Sequence, residues 1–173
     1  ATAVLDSIAA GDGTADALQI NGGVTIPSTM DFTNKLSGFE KITAPATTSV
    51  ISITPHATFV SDTSIDDIDL SGDSNATGTN VVDLSSLTGT PAFAVTGSAG
   101  IDQITLGAGV DTVDAGSGTI NDLVIVTART NLGSATAVLD SIAAGDGTAD
   151  ALQINGGVTI PSTMDFTNKL SGF

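Results

Sequence analysis

The chain has 173 residues and a formal net charge of −15, because nineteen acidic residues face only four basic ones. This balance argues against nucleic-acid binding, since no basic surface is present to neutralise phosphates. The absence of cysteine excludes a disulfide framework, and no apolar run is long enough to span a membrane. Eighteen of the acidic residues are Asp, which suits turns and metal sites better than helices.

An exact internal duplication opens and closes the chain. Residues 1–39 recur without a single change as residues 135–173, at an offset of 134 residues. We interpret residues 1–134 as one complete unit of a tandem array and residues 135–173 as the start of the next unit. An artificial duplication is the alternative. Because the chain begins at Ala1 without an initiator Met, we expect it to be a piece of a longer protein, with both copies lying along one continuous fold.

Short apolar runs separated by Gly, Asp, Ser and Thr follow one another along the unit, and they fit either a β-sandwich or a parallel β-solenoid. A helix is predicted to begin at Ser134 and end at Ala144 before Gly145, with its copy at the N-terminus. A second helical turn is predicted over residues 28–36. Strands are predicted at residues 17–20, 49–53, 57–60, 80–84, 92–95, 102–105, 111–114 and 122–126.

A recurring glycine turn distinguishes between the β-sandwich and the parallel β-solenoid. Residues 97–105 read GSAGIDQIT and residues 106–114 read LGAGVDTVD, so each has a glycine turn, an aspartate and an apolar residue. A third turn begins at Ala115, and a two-residue insertion delays its aspartate to Asp122. The pattern resembles the G-G-x-G-x-D-x-U-x nonapeptide of the RTX, or haemolysin-type, calcium-binding proteins. The resemblance implies an all-β, right-handed parallel β-solenoid (β-roll or β-helix), with calcium between turns stacked on the same side.

The calcium chemistry explains why aspartate and glycine recur together. Calcium takes about six to eight oxygen ligands, and glycine lets a turn aim its carbonyls at one point. The resemblance implies that Asp102 and Asp122 share an ion, while Asp111 needs a turn from another coil. Solvated turns that use Gly and Asp for backbone reasons are the alternative. The candidate ligands are Gly97, Ala99, Asp102, Asp111, Gly116, Gly118 and Asp122, with Asp12, Asp16, Asp146 and Asp150 from looser relatives of the turn at residues 10–18 and 144–152.

Catalysis is not expected. Parallel β-helices that act on acidic polysaccharides need Lys, Arg, His or Tyr over the sugar, and one unit offers only Lys35, Lys41, His56 and Arg129. His56 has no second histidine with which to share a metal, so we interpret it as a surface residue. The acidic segment at residues 62–73 is interpreted as a solvated face. Ice binding is disfavoured as well, because Thr recurs without a fixed short period.

The sequence therefore predicts a non-enzymatic, calcium-stabilised structural repeat, a stalk, spacer or adhesin array in a large bacterial protein. The resemblance implies export by a dedicated one-step route and folding outside the cell, so we expect a secreted or cell-surface location. The expected partners are Ca²⁺, neighbouring copies of the repeat in head-to-tail association, and a cell-surface ligand; neither nucleic acid nor membrane insertion is expected. The alternatives are a self-assembling surface-layer module and, less favoured, a polysaccharide-acting β-helix enzyme.

Overall fold

The structure is a computed structural model that describes residues 2–3, 6–133 and 140–173. These residues form short strands, one α-helix and one 3-10 helix, and neither helix has the length and hydropathy needed to cross a membrane. The helices are α1 (Phe59–Thr63) and the 3-10 helix at Arg129–Leu132. The strands are β1 (Thr2–Ala3), β2 (Ile8–Ala9), β3 (Ala17–Gln19), β4 (Thr25–Ile26), β5 (Met30–Asp31), β6 (Leu36–Ser37), β7 (Lys41–Thr43), β8 (Ser52–Ile53), β9 (Asp67–Asp69), β10 (Thr79–Asp83), β11 (Ala94–Thr96), β12 (Ile101–Thr105), β13 (Thr112–Asp114), β14 (Leu123–Val126), β15 (Ser141–Ala143), β16 (Ala151–Ile154) and β17 (Leu170–Ser171).

Two parallel sheets carry the fold. The first sheet has the order β3-β7-β9-β11-β13-β15-β17, and the second has the order β4-β8-β10-β12-β14-β16. From β7 to β17 the chain passes alternately from the first sheet to the second and back, and β1-β5 and β2-β6 form two further parallel pairs. The prediction of an all-β fold with parallel sheets and few helices is therefore confirmed.

Each sheet presents a ladder of aliphatic side chains to the interior, because alternate residues of a strand face the same side. The central members of both ladders are at most 2% exposed. Burial of each such side chain contributes about 1.5–3 kcal/mol, and a one-residue slip would turn a whole ladder outward, so burial fixes the register. The first ladder is Leu18, Ile42, Ile68, Val95, Val113, Ile142 and Leu170, and the second is Ile26, Ile53, Val82, Ile104, Val124 and Leu152.

The predicted strand at residues 57–60 is wrong, because α1 begins at Phe59. The Asp62 amide donates to the Thr58 carbonyl at 2.9 Å, and Thr63 lies one turn after Phe59 on the buried side. The Phe59 ring packs edge-on against Phe32, with ring centroids 5.5 Å apart. The other predicted strands are present, with ends shifted by up to three residues.

Both predicted helices are wrong where the structure describes them. Residues 141–143 form β15 because Ile142 joins the first ladder, which outweighs the local helical pattern; residues 134–139 lie outside the described residues. The N-terminal copy of this predicted helix contains β2 instead. Residues 28–36 instead contain β5 and the start of β6, because the Asp31 carboxylate accepts the Thr33 amide at 2.9 Å and Asn34 has a φ of 58°, which ends a right-handed helix.

The two copies of the duplicated segment share three strands in different surroundings: β2, β3 and β6 of the first copy correspond to β15, β16 and β17 of the second, whereas β4 and β5 have no counterpart strand among the described residues of the second copy. Ile8 pairs with Leu36 in the first copy, and Ile142 pairs with Leu170 in the second, in the same register. However, β3 lies in the first sheet, whereas its copy β16 lies in the second.

Candidate metal centre at the turn aspartates

The turns that lead from the first sheet to the second stack on one another. Gly116 has a φ of +123°, and a Cβ added there would collide with the Ser98 carbonyl of the turn before it. Gly145, with a φ of +93°, meets the Gly116 carbonyl in the same way. Only glycine satisfies both the backbone conformation and the close approach. The stacking also sets Gly118 against the Ala99 carbonyl. The carbonyl groups predicted as calcium ligands in the first and third turns therefore lie in adjacent turns.

The aspartates that end these turns form a column inside the protein. Asp102, Asp122 and Asp150 are here called the aspartate ladder: Asp102 is the second residue of β12, and Asp122 and Asp150 directly precede β14 and β16. The Asp102 amide donates to Asp122 Oδ1 at 2.8 Å, and the Asp122 amide donates to Asp150 Oδ1 at 2.8 Å. The carboxylates of Asp122 and Asp150 therefore each accept the backbone N–H of the equivalent aspartate one rung earlier.

The opposite side of the protein has a matching pair, Asp111 and Asp140. The Asp111 amide donates to Asp140 Oδ1 at 2.9 Å, and the Phe93 amide donates to Asp111 Oδ1 at 3.1 Å. Asp140 is fully buried and Asp111 is 1% exposed. Asp140, at the start of the next rung, is thus the carboxylate that lies against the Asp111 backbone.

Several carboxylate oxygens in these two sets have no hydrogen-bond partner. Asp102 Oδ2 accepts the Ser98 amide and hydroxyl, both at 2.8 Å, and Asp111 Oδ2 accepts the Gly107 amide at 3.0 Å. Burying a polar atom without a hydrogen-bond partner costs free energy, so a proton or a bound cation would stabilise these oxygens. The unpartnered buried oxygens among the acidic residues are Asp16 Oδ2, Asp102 Oδ1, Asp122 Oδ2, Asp140 Oδ2 and Asp150 Oδ2.

Burial perturbs the acidity of both sets. Desolvation, together with the neighbouring charges of Asp102 and Asp150, raises the pKa of Asp122 to about 7, against the hydrogen bond from the Asp102 amide, which lowers it. Desolvation also raises the pKa of Asp140 to about 7, with Asp111 adding to the effect and Lys169 opposing it. The pKa values of Asp102 and Asp111 are raised by burial as well, against the hydrogen bonds that lower them.

The donor set suits a hard cation. The ladder and the opposite pair offer carboxylate and carbonyl oxygens, which calcium prefers, and neither contains the His or Cys ligands typical of zinc. Among the described residues no group of three or more His, Cys, Asp or Glu side chains could hold a metal. Calcium between two carboxylates would therefore need turn carbonyls and water to reach about six to eight ligands.

The looser relatives of the turn divide into two kinds. Asp12 and Asp146 are exposed in their turns and lie outside the ladder. Asp150 belongs to the ladder, and its copy Asp16 is partly buried, with its amide donating to Glu40 Oε2 at 2.6 Å. Added Cβ atoms at Gly13 and Gly147 would overlap the carboxylates of Asp16 and Asp150, so these glycines make room for the aspartate of their own turn.

Sequence reasoning missed Asp140, although a signal was present. Asp140 to Gly145 reads DSIAAG, and Asp111 to Gly116 reads DTVDAG, so both follow the order Asp, any residue, apolar, any residue, Ala, Gly. The predicted helix over this segment concealed the match.

The acidic segment at residues 62–73 behaves differently from the turns. Asp67 and Asp69 lie on the outer side of β9, partly exposed, on either side of the fully buried Ile68. Asp73 is 1% exposed, and its carboxylate accepts the side-chain amide of Asn80 at 2.8 Å. The Asp73 carboxylate therefore has a hydrogen-bond donor from the protein, which the unpartnered oxygens of the aspartate ladder lack.

No protein-family model, curated protein sequence or solved structure matches the chain. The resemblance to the RTX nonapeptide therefore depends on residues 97–122 alone, and we infer the function from the stacked turns and their carboxylates.

Proposed function

We propose that the chain is a calcium-stabilised structural repeat, one unit and part of the next from a right-handed parallel β-solenoid. It would act as a stalk, spacer or adhesin array in a large secreted or cell-surface bacterial protein. The observation that carries the proposal is the aspartate ladder, in which one buried oxygen of each carboxylate lacks a hydrogen-bond partner among the described residues, in a chain of net charge −15.

The solenoid is supported by the regular alternation between two parallel sheets. Each passage through both sheets adds one rung to each aliphatic ladder, which advances the stack by about 4.8 Å. Turns on the same side then lie close enough for the Gly116 backbone to rest on Ser98. This close stacking is what an ion shared between turns requires.

Calcium is supported by the pairing of carboxylates. Asp102 and Asp122 lie in adjacent rungs, as do Asp111 and Asp140, so each pair would hold one ion together with turn carbonyls. The ion would supply the missing partners and offset the repulsion between the carboxylates. In low calcium the acidic chain would lose stability, which couples folding to the calcium outside the cell.

A mechanical role is favoured over catalysis by the surroundings of the few basic side chains. The His56 Nδ1 atom lies 3.1 Å from Thr58 Oγ1, beside the start of α1, and His56 is far in sequence from the aspartates of the ladder and of the opposite pair. A self-assembling surface-layer module is the second candidate, and the exposed Ile154 and Phe173 at the C-terminal end favour it.

Thermal unfolding in calcium and in chelator tests the calcium proposal. An ion bound at about a hundred times its Kd adds about 2.7 kcal/mol, so Tm should rise by roughly 5–10 °C in calcium. Magnesium should substitute poorly, because it requires tighter octahedral geometry. Equal melting in calcium and chelator, together with no metal by elemental analysis, would contradict the proposal.

Charge-removing variants locate the ion. Asp102→Asn and Asp122→Asn keep an oxygen for the backbone N–H and remove the charge, so each should abolish the calcium response of one site. The double variant should lose no more than either single variant, because the two residues share that site. Asp62→Asn is the control and should respond to calcium as the unaltered chain does; additive losses, or a lost response at Asp62, would place the ion elsewhere.

A further inference from the structure

We infer that residues 140–173 of one molecule can dock on residues 40–65 of another, in the place of that molecule's own residues 6–39. The exchange of identical segments would join chains head to tail. The inference rests on the continuous ladders of the proposed solenoid and needs no bound calcium.

Residues 40–65, here called the receiving surface, hold the first copy by backbone pairing. They comprise β7, β8 and α1, and β7 pairs in parallel with β3 of the first copy, residue Leu18 opposite Ile42. The Ile20 amide donates to the Thr43 carbonyl at 2.9 Å, and the Thr54 amide donates to the Ile26 carbonyl at 2.7 Å.

Side chains complete the same contact. Phe32 of the first copy packs on Phe59 of α1, and Leu36 of the neighbouring β6 is 4% exposed. The receiving surface therefore contacts the first copy through β3, through the turn that follows β3 and through the ring of Phe32.

The same residues are more exposed in the second copy. Ile20 is 8% exposed and its copy Ile154 is 38% exposed, while Phe39 is 8% exposed and its copy Phe173 is 47% exposed. Leu152, Leu170 and Phe173 border an open groove of about 270 Å³ at this end. The groove is the side that the receiving surface covers in the first copy.

The two copies are uncovered on opposite sides. Ile8 of the first copy is 48% exposed, but its counterpart Ile142 is 1% exposed because it pairs with Val113. A second copy seated on a receiving surface would be covered on both sides, as every interior rung is. The second ladder would then run from Val124 through Leu152 to Ile42 of the other molecule, in the register that each chain already shows.

The first copy competes with this docking because it is tethered to the receiving surface. A short tether gives it a high effective concentration, so it keeps the surface in dilute solution. It would leave by rotation at Gly38, which has a φ of +71° and immediately precedes Phe39. Weakening the first copy alone should therefore convert a monomer into a head-to-tail oligomer.

Matched substitutions in the full chain test this. Leu36→Asp places a charge in the first copy at a buried position beside α1, and Leu170→Asp places the same charge in the second copy. Sedimentation over a wide range of concentration should show Leu36→Asp at multiples of the 17.0 kDa chain mass, with Leu170→Asp and the double variant monomeric. A monomeric, folded Leu36→Asp protein, or a double variant that associates equally, would overturn the inference.

Two further measurements keep the test decisive. Phe32→Ala weakens the first copy more mildly, and circular dichroism verifies that the rest of the chain is folded; it should also associate, to a smaller extent. Because the chain has no cysteine, Lys41→Cys in a Leu36→Asp background can be mixed with Ala151→Cys. A covalent heterodimer is expected from the register of Ala17 with Lys41, and none from Asp146→Cys. Equal cross-linking of both, or of neither, would overturn the inference, whatever the calcium experiments show.

Discussion

Residues 6–39 and residues 140–173 have the same side chains in the same order. Comparing them therefore distinguishes the structural features that the local sequence determines from those that the neighbouring strands determine. The local features are unchanged between them. The carboxylates of Asp31 and Asp165 accept the amide two residues later at 2.9 and 2.8 Å, and Asn34 and Asn168 have φ angles of 58° and 57°. Turn chemistry is therefore encoded within a few residues.

Burial and sheet membership follow the neighbours instead. Asp6 is exposed, whereas its counterpart Asp140 is fully buried beneath Asp111. The same sequence therefore forms a covered rung at one end and an open one at the other. Identical substitutions in the two copies should have different effects, and the following pairs measure how different.

The largest difference is expected at the inward-facing isoleucines. Ile142→Ala should reduce the free energy of unfolding by about 2–4 kcal/mol, because the side chain is packed between two rungs. Ile8→Ala should cost about 0.5 kcal/mol or less, since almost half of that side chain is exposed. Urea denaturation of both variants gives the comparison, and equal losses would show that the open end is packed in solution.

A smaller difference is expected at the turn glycines. Gly11 and Gly145 both have positive φ, so alanine should cost about 1 kcal/mol at either position. Only at Gly145 would the added Cβ also collide with a backbone carbonyl, that of Gly116, whereas Gly11 has open space. Gly145→Ala should therefore unfold in less urea than Gly11→Ala, and the reverse order would contradict the stacking of the turns.

A difference that depends on pH is expected at Asp140 and Asp6, measured in chelator. Burial raises the folded-state pKa of Asp140 to about 7, so the folded protein binds a proton that the unfolded chain releases near pH 4. This contribution to stability is complete below about pH 4 and is lost as the pH rises towards 7.

Asp140→Asn should flatten that pH dependence and stabilise the calcium-free protein above pH 7, where the buried carboxylate of Asp140 is charged. Asp6→Asn is the matched variant in the first copy, where the aspartate is exposed. A profile that is the same for all three proteins would show that Asp140 is not buried as a neutral acid.

The sequence predicted the strands best where apolar residues alternate with polar ones. The strands after Asp102, Asp111 and Asp122 were found at nearly their predicted positions, and the spacing correctly set Asp102 and Asp122 in adjacent turns. The short helix α1 was missed because Phe59 packs on Phe32, a contact that no local pattern records.

The inward direction of the carboxylates could not be predicted, for a related reason. The carboxylates of Asp111, Asp122, Asp140 and Asp150 each accept a backbone N–H that lies 18–29 residues away in the sequence. Local reasoning offered a calcium ligand or a solvated turn, and it did not consider a carboxylate that ties one rung to the next. That hydrogen bond explains the presence of aspartate at these positions with or without an ion.

The register of the ladders has a mechanical consequence for an array of such units. Leu152 ends the second ladder, and it is the copy of Leu18, which begins the first ladder. In an array one ladder would thus pass from the second sheet of one unit into the first sheet of the next. The ladders of neighbouring units would therefore end at different places and overlap across the junction between repeats. Tension along the array would then meet no junction at which one unit could unfold alone.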